Sequence, residues 1–204
     1  FKIGATAKRM QEYLGLSTPA AGFMVSDGLH RSDVTLRFAD FQRPGVECEL
    51  AVRLGRDLPP GPRTMVQAAD AVGELMAGIE LVENRYTDLA QVGTPTMIGD
   101  QVYHAAAIVG EAGGDWRDLD VAALLGRLIV NGNQRDEGVG ADLMGHPFNC
   151  LAWLAGSRVV EAFGGLKAGQ VVMLGSVTPP IWLTGPATVT VAFAPLPPVQ
   201  VTLI

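Results

Sequence analysis

Apolar and polar positions alternate most cleanly over 46–54, where Val46, Cys48, Leu50, Val52 and Leu54 interleave with Glu47, Glu49, Ala51 and Arg53. A period of two marks a strand, here entered through a Pro44-Gly45 turn. The same period predicts strands over 2–5, at Val34, Leu36 and Phe38, and over 79–83, 103–110, 170–176, 188–194 and 199–203. Leu128 to Val130, Asn131-Gly132 and Asn133 to Glu137 have the pattern of a hairpin closed by a type I′ turn. Helical spacing appears over 8–14, stopped by Gly15, and after Thr64, where Val66, Ala69, Val72 and Met76 form a stripe running towards Gly78. Gly145-His146-Pro147 introduces a long helix with Phe148, Leu151, Ala152, Ala155, Val159 and Phe163 on one face, ending at Gly164-Gly165. Segments 16–25, 57–62 and 87–96 read as loops. The sum is roughly ten strands and three or four helices, an α+β chain dominated by short strands.

Composition agrees with a folded, frequently turning chain: of 204 residues, 48% are hydrophobic and 18% charged, with 25 Gly and 13 Pro. A net charge of −6 and no basic run with interleaved aromatics argue against nucleic acid as a partner. No apolar run approaches the ~20 residues needed to span a bilayer, and the first residues lack signal-peptide organisation. Cys48 and Cys150 have neither disulfide-framework nor zinc spacing, which suits two reduced thiols in a cytoplasmic protein.

The candidate chemistry lies in acids on strands. Glu47 and Glu49 leave their strand on one face with Cα atoms about 6.6 Å apart, so their charges repel unless water, a proton or a cation intervenes. Glu80, on a strand that follows the helix expected after Thr64, can join them. Three carboxylates suit a hard divalent cation with positions left for water and substrate. By itself that spacing is more often that of solvated glutamates on strand faces.

The sequence resembles the 2-keto-4-pentenoate hydratase and 4-oxalocrotonate decarboxylase branch of the fumarylacetoacetate hydrolase superfamily. The resemblance runs through Lys2-Ile3-Gly4-Ala5-Thr6, Pro44-Gly45-Val46-Glu47-Cys48-Glu49, Gly78-Ile79-Glu80-Leu81-Val82-Glu83-Asn84-Arg85 and Gly145-His146-Pro147-Phe148-Asn149-Cys150, and ends in Leu166-Lys167-Ala168-Gly169 and Leu174-Gly175-Ser176-Val177-Thr178. It implies a mixed β-roll with a few outer helices, forming one catalytic domain over 1–204 that lacks the family's N-terminal helical stretch. It also implies Mg²⁺ or Mn²⁺ held by Glu47, Glu49 and Glu80, and a small 2-oxo acid or its enol as substrate. By the same resemblance Lys2 stands at the substrate and moves protons, and Ser176 holds a substrate carboxylate or else ends its strand as a turn residue. Asp100 supports the site from behind. Arg85 is expected to pair with an acid and His146 to order the helix entry, whereas His30 and His104 match nothing catalytic.

The activity implied is hydration of 2-hydroxypenta-2,4-dienoate in aromatic compound catabolism. Decarboxylation of 4-oxalocrotonate and hydrolysis of an acylpyruvate C–C bond are the alternatives, and a non-catalytic homologue is the reading from another class. Ala20 and Ala21 follow Pro19 where the hydratases commonly carry an acid, and His104-Ala105 replace Ser-Gly-type residues. A C–C hydrolase needs a His–acid pair, which the first helix and loop do not offer. Apolar strand edges point to a homo-oligomer.

Overall fold

The two longest strands, β5 (Pro44–Leu54) and β6 (Val72–Glu83), pair antiparallel from Pro44↔Glu83 to Leu54↔Val72 and form the centre of the molecule. The computed structural model describes residues 1–88 and 91–204, except the side chain of Tyr13. The strands preceding this pair are β1 (Lys2–Gly4), β2 (Ala20–Gly22), β3 (Leu29–Arg31) and β4 (Val34–Leu36). Those following it are β7 (His104–Val109), β8 (Leu125–Val130), β9 (Asn133–Val139), β10 (Val171–Ser176), β11 (Ile181–Trp182), β12 (Ala187–Phe193) and β13 (Val199–Leu203). One sheet has the order β2-β1-β10-β5-β6-β7-β3, with β11 added to β5; the other runs β4-β13-β12-β8-β9. The mixed, strand-dominated α+β architecture matches the expected fold class.

Alternation decides which side chains meet. Val46, Cys48, Leu50, Val52, Ile79 and Leu81 leave the β5–β6 pair towards the second sheet, packing in one core with Val189, Val191, Val201 and Leu128. The sheets approach closely there, since a Cβ on Gly126 would lie 2.3 Å from the Phe193 ring and 3.0 Å from the Cys48 sulfur. Glu47, Glu49, Ala51, Met76 and Glu80 occupy the opposite face. At one end of that face Ala51, Met76 and Met173 pack together; at the other lie the glutamates.

The described α-helices are α1 (Lys8–Leu14), α2 (Met65–Ala69), α3 (Thr94–Gly99), α4 (Pro147–Ala155) and α5 (Arg158–Ala162). Helix α1 ends at Gly15 with φ 66°, as its sequence implies. The Asn131-Gly132 turn has φ 51° and 75°, the positive pair of a type I′ hairpin.

Several segments depart from the sequence reading, among them the expected loop 16–25, which contains β2. The helix after Thr64 stops at Ala69, and Val72 already belongs to β6. As a central strand buried on both faces, β6 has apolar residues at successive positions, which mimics a helical stripe. The helix after His146 breaks in two because Ser157 accepts the Val160 N–H at 3.2 Å and starts α5, leaving Phe163 exposed. Thr94 starts α3 inside the expected 87–96 loop, with Pro95 in its first turn; Leu89 and Ala90 of that loop lie outside the described residues. Pro44-Gly45 is part of β5 and pairs with β6, and Phe38 lies in a 3₁₀ turn beyond β4.

Candidate metal centre

Register brings the acids together. Glu47 and Glu80 are directly opposed across the β5–β6 ladder, and Glu49, two residues along the same face, is opposite Gly78. One carboxylate oxygen from each of the three lies within 4.8 Å of the others, and all three side chains are buried. Gly78 leaves room there, since a Cβ in its place would sit 2.8 Å from the Met173 methyl.

Lys2 reaches the group from β1, two strands from β5 and three from β6. Its Nζ donates to Glu80 Oε1 and, at 3.5 Å, to the Val102 carbonyl; only 1% of Lys2 is exposed. The Gly175 N–H donates to Glu49 Oε2 at 3.0 Å. Gly175 has φ 110°, and a Cβ there would overlap the Thr6 hydroxyl at 1.8 Å, so only glycine brings this amide to Glu49.

Electrostatics sets the three acids apart. Burial, then the Glu80 charge, pushes Glu47 up to about 8, with Lys2 opposing. Burial and the two neighbouring carboxylates hold Glu49 well above the usual range, against Lys2 and the Gly175 amide. Burial raises Glu80 as well, but the Lys2 ammonium and the His104 hydrogen bond outweigh it and hold Glu80 at about 2. Once all three are ionised, the carboxylates and one ammonium leave two negative charges uncompensated, the charge of one divalent cation, which can take the place of the protons that burial holds on Glu47 and Glu49. The donor set therefore fits a hard divalent cation: Glu47, Glu49 and Glu80 supply oxygen, and no sulfur or imidazole joins the cluster among the described residues.

A cavity opens beside the carboxylates. Lys2, Glu47, Glu49 and Ser176 are its charged and hydroxyl-bearing residues with Tyr103, and Met10, Leu14, Val82, Val102 and Trp182 are among its apolar lining residues. Ser176 lies at the end of β10 opposite Glu49. Its Oγ donates to the Thr178 carbonyl at 2.6 Å and accepts the Thr178 N–H at 3.2 Å, so the hydroxyl closes a turn as well as facing the cavity.

Asp100 stands apart from that lining. Both its oxygens accept from Arg85 Nη1, at 3.0 and 3.1 Å. Arg85 also pairs with Glu83 at 3.1 Å and donates to the His104 carbonyl at 2.8 Å, which gives this arginine the acidic partners it was expected to have. Asp100 is thus tied through Arg85 to His104, the first residue of β7, and does not line the cavity. His146 Nδ1 accepts the Phe148 N–H at 3.1 Å and caps α4. Ala20 and Ala21, in β2, pair with β1 and bring no acid.

His104 is the residue that sequence reasoning missed: its Nδ1 lies 2.8 Å from Glu80 Oε1. The preceding Gln101, Val102 and Tyr103 all have positive φ, 53°, 53° and 64°. Such a run costs about 1–2 kcal/mol per residue, and Val102 is β-branched. In exchange Val102 presents its carbonyl to Lys2, and the Gln101 side chain accepts the Phe23 N–H at 2.9 Å. Trp182 was missed for another reason, because β11 is only two residues long and follows Pro179-Pro180.

Comparison with known proteins gives the family and the fold. Residues 10–204 match the family described as fumarylacetoacetate (FAA) hydrolase C-terminal. The chain is 31% identical over 178 residues to the 2-keto-4-pentenoate hydratase of Burkholderia vietnamiensis, covering 87% of this chain and 67% of that protein. It is 32% identical over 183 residues to the 2-hydroxyhexa-2,4-dienoate hydratase of Comamonas testosteroni, again covering 87% and 67%. Among solved structures, 4-oxalocrotonate decarboxylase from Pseudomonas putida G7, complexed with magnesium and adipate, superposes with a TM-score of 0.88 at 23% identity over all of this chain and 76% of that one. Fumarylpyruvate hydrolase from Pseudomonas aeruginosa, in complex with Mn²⁺ and pyruvate, gives 0.75 at 14% identity over all of this chain and 88% of that one. The chain belongs to the fumarylacetoacetate hydrolase family.

Proposed function

We propose that this protein is a divalent-cation-dependent lyase that hydrates a small 2-hydroxy-2,4-dienoate, 2-hydroxypenta-2,4-dienoate in the first instance, to the 4-hydroxy-2-oxo acid. The buried trio Glu47, Glu49 and Glu80, the first two of which line a largely apolar cavity, carries the proposal. The hydratase relatives support the reaction type. Mg²⁺ and Mn²⁺ are the cations of choice, as in the two neighbouring structures.

Bound there, the cation stabilises negative charge developing on the substrate's C2 oxygen. The chain's own residues bind, orient and move protons. In the overall change the enol O–H proton leaves, C5 gains a proton, and water then adds across C3=C4, with oxygen at C4 and hydrogen at C3. Lys2 Nζ, facing the cavity beside Glu80, holds and returns a proton and offers its charge to the substrate carboxylate. Ser176 is its proposed polar neighbour at the carboxylate, and Asp100, through Arg85, keeps β7 in place. Met10, Leu14, Val82 and Trp182 exclude water from the diene.

The same wall favours hydration over the decarboxylase alternative. A 4-oxalocrotonate dianion needs a cation for its second carboxylate, and Lys2 is the one cationic side chain lining this cavity among the described residues. The deciding experiment is NMR product analysis with Mg²⁺ or Mn²⁺ on 2-hydroxypentadienoate, 4-oxalocrotonate and an acylpyruvate. Release of CO₂ or of a cleaved acid in place of the 4-hydroxy-2-oxo acid would overturn the assignment.

We further propose a cytoplasmic, self-associating enzyme of aromatic compound catabolism. No described helix is long and apolar enough to cross a membrane, and exposed Phe23, Val25 and Phe163 support association. Light scattering tests the last point.

A further inference from the structure

We propose that His104 is a positioning residue for the cation site: with Lys2 it pins Oε1 of Glu80, so that this carboxylate offers a cation one oxygen rather than two and the site favours a small six-coordinate cation over Ca²⁺. The inference rests on reading the three glutamates as a divalent-cation site.

The backbone places His104 there by breaking a rule of sheets. β6 and β7 pair regularly through Leu81↔Ala106, and period two would then set Ala105 opposite Val82 and turn His104 to the far face. An irregularity between Leu81 and Val82 instead sets His104 opposite Val82, on the face of Glu80. The left-handed run Gln101–Tyr103 and the Arg85 bond to the His104 carbonyl hold that displaced register. The ring nitrogen then lies 2.8 Å from the oxygen that Lys2 also contacts. An ionised carboxylate only accepts hydrogen bonds, so Nδ1 carries the hydrogen of this pair.

The consequence follows from coordination chemistry. Ca²⁺ takes six to eight oxygens and readily uses carboxylates with both, whereas Mg²⁺ demands a near-octahedral set with single oxygens and waters. Glu80 has Oε1 engaged twice, and Glu49 has Oε2 engaged by the Gly175 amide. Two of the three ligands are thereby limited to one oxygen each.

Titration calorimetry of the metal-free protein with Mg²⁺ and with Ca²⁺ tests this without any turnover. In His104→Leu the Mg²⁺:Ca²⁺ affinity ratio should fall about tenfold or more, the usual scale for losing a ligand's hydrogen-bond partner. His104→Asn, which keeps an N–H near the Nδ1 position, should restore most of it. If His104→Leu does not fold, as read by circular dichroism, His104→Ala reads the same ratio. An unchanged ratio in a folded variant overturns this inference alone. A wild type that binds neither ion overturns the cation-site reading and this inference with it.

Discussion

Glu47 and Glu80 face each other across the β5–β6 ladder, two buried acids in direct register at the centre of a sheet. Like charges in that relationship destabilise a sheet unless something compensates them. Lys2 compensates Glu80, and burial keeps a proton on Glu47 that a cation can displace. Replacing Glu49 by Gln removes one charge and one oxygen while keeping the shape. Glu49→Gln should weaken Mg²⁺ or Mn²⁺ binding about 100-fold or more, given what a lost charged ligand costs in a low-dielectric site. Calorimetry on the purified variant checks this, and wild-type affinity would show that the trio is not the site.

The same burial gives the metal-free protein a pH signature. Glu47 has its proton affinity raised on folding, from an ordinary 4.5 to about 8, so its contribution to stability is complete below pH 4.5 and is lost as pH rises to about 8. Glu49 shifts in the same direction. Glu80, held at about 2, contributes above its ordinary 4.5 and loses that contribution as pH falls towards 2. With chelator present, Tm should drop by about 5 °C or more between pH 5.5 and 8.5. Saturating Mg²⁺ should flatten the drop, because a bound cation replaces the protons. Thermal unfolding at the two pH values, with and without Mg²⁺, measures both effects.

Much of this arrangement can be read from residue order, and the exceptions have physical causes. Period two at 46–54 and 79–83 puts Glu47, Glu49 and Glu80 on polar faces of strands, and the antiparallel pairing of β5 and β6 makes those faces one. The β6 boundary is hidden because Val72, Leu75, Met76 and Ala77 are all buried in a strand covered on both sides. His104 escapes because its orientation depends on a register shift, and a shift of one residue inverts every side chain that strict alternation assigns. The Asp100–Arg85 pair escapes in part: the arginine's need of an acid is legible, but which acid depends on how 84–103 returns to β7.

Lys2 should separate catalysis from binding. Its side chain is as deeply buried as those of the glutamates, and its charge offsets Glu80. Lys2→Met keeps the volume and removes both the charge and the transferable proton. kcat should fall about 10²- to 10⁴-fold, the range for losing a proton-transfer group. Divalent-cation affinity should hold or rise, since the site becomes more negative. Steady-state kinetics beside calorimetry reads this, and an unchanged kcat would remove Lys2 from the chemistry.

Leu14 offers a gain-of-function test of the apolar wall. It lies in the last turn of α1, half-buried, and lines the cavity. A substrate with a second carboxylate must leave that group unpaired against Leu14, Met10 and Trp182, and an unpaired buried charge is costly. The wild type should therefore prefer 2-hydroxypentadienoate over a dienoate with a terminal carboxylate by about 100-fold or more in kcat/KM, equal to roughly 3 kcal/mol. Leu14→Arg supplies a guanidinium on a flexible stem where helix geometry tolerates it, because a basic residue suits a helix C-terminus. That variant should lose about tenfold on the monoacid and gain as much on the diacid, narrowing the ratio from both sides. Parallel kcat/KM measurements on the two substrates decide it. A ratio that Leu14→Arg leaves unmoved in a folded, cation-binding protein would mean that the substrate's far end does not lie against this wall.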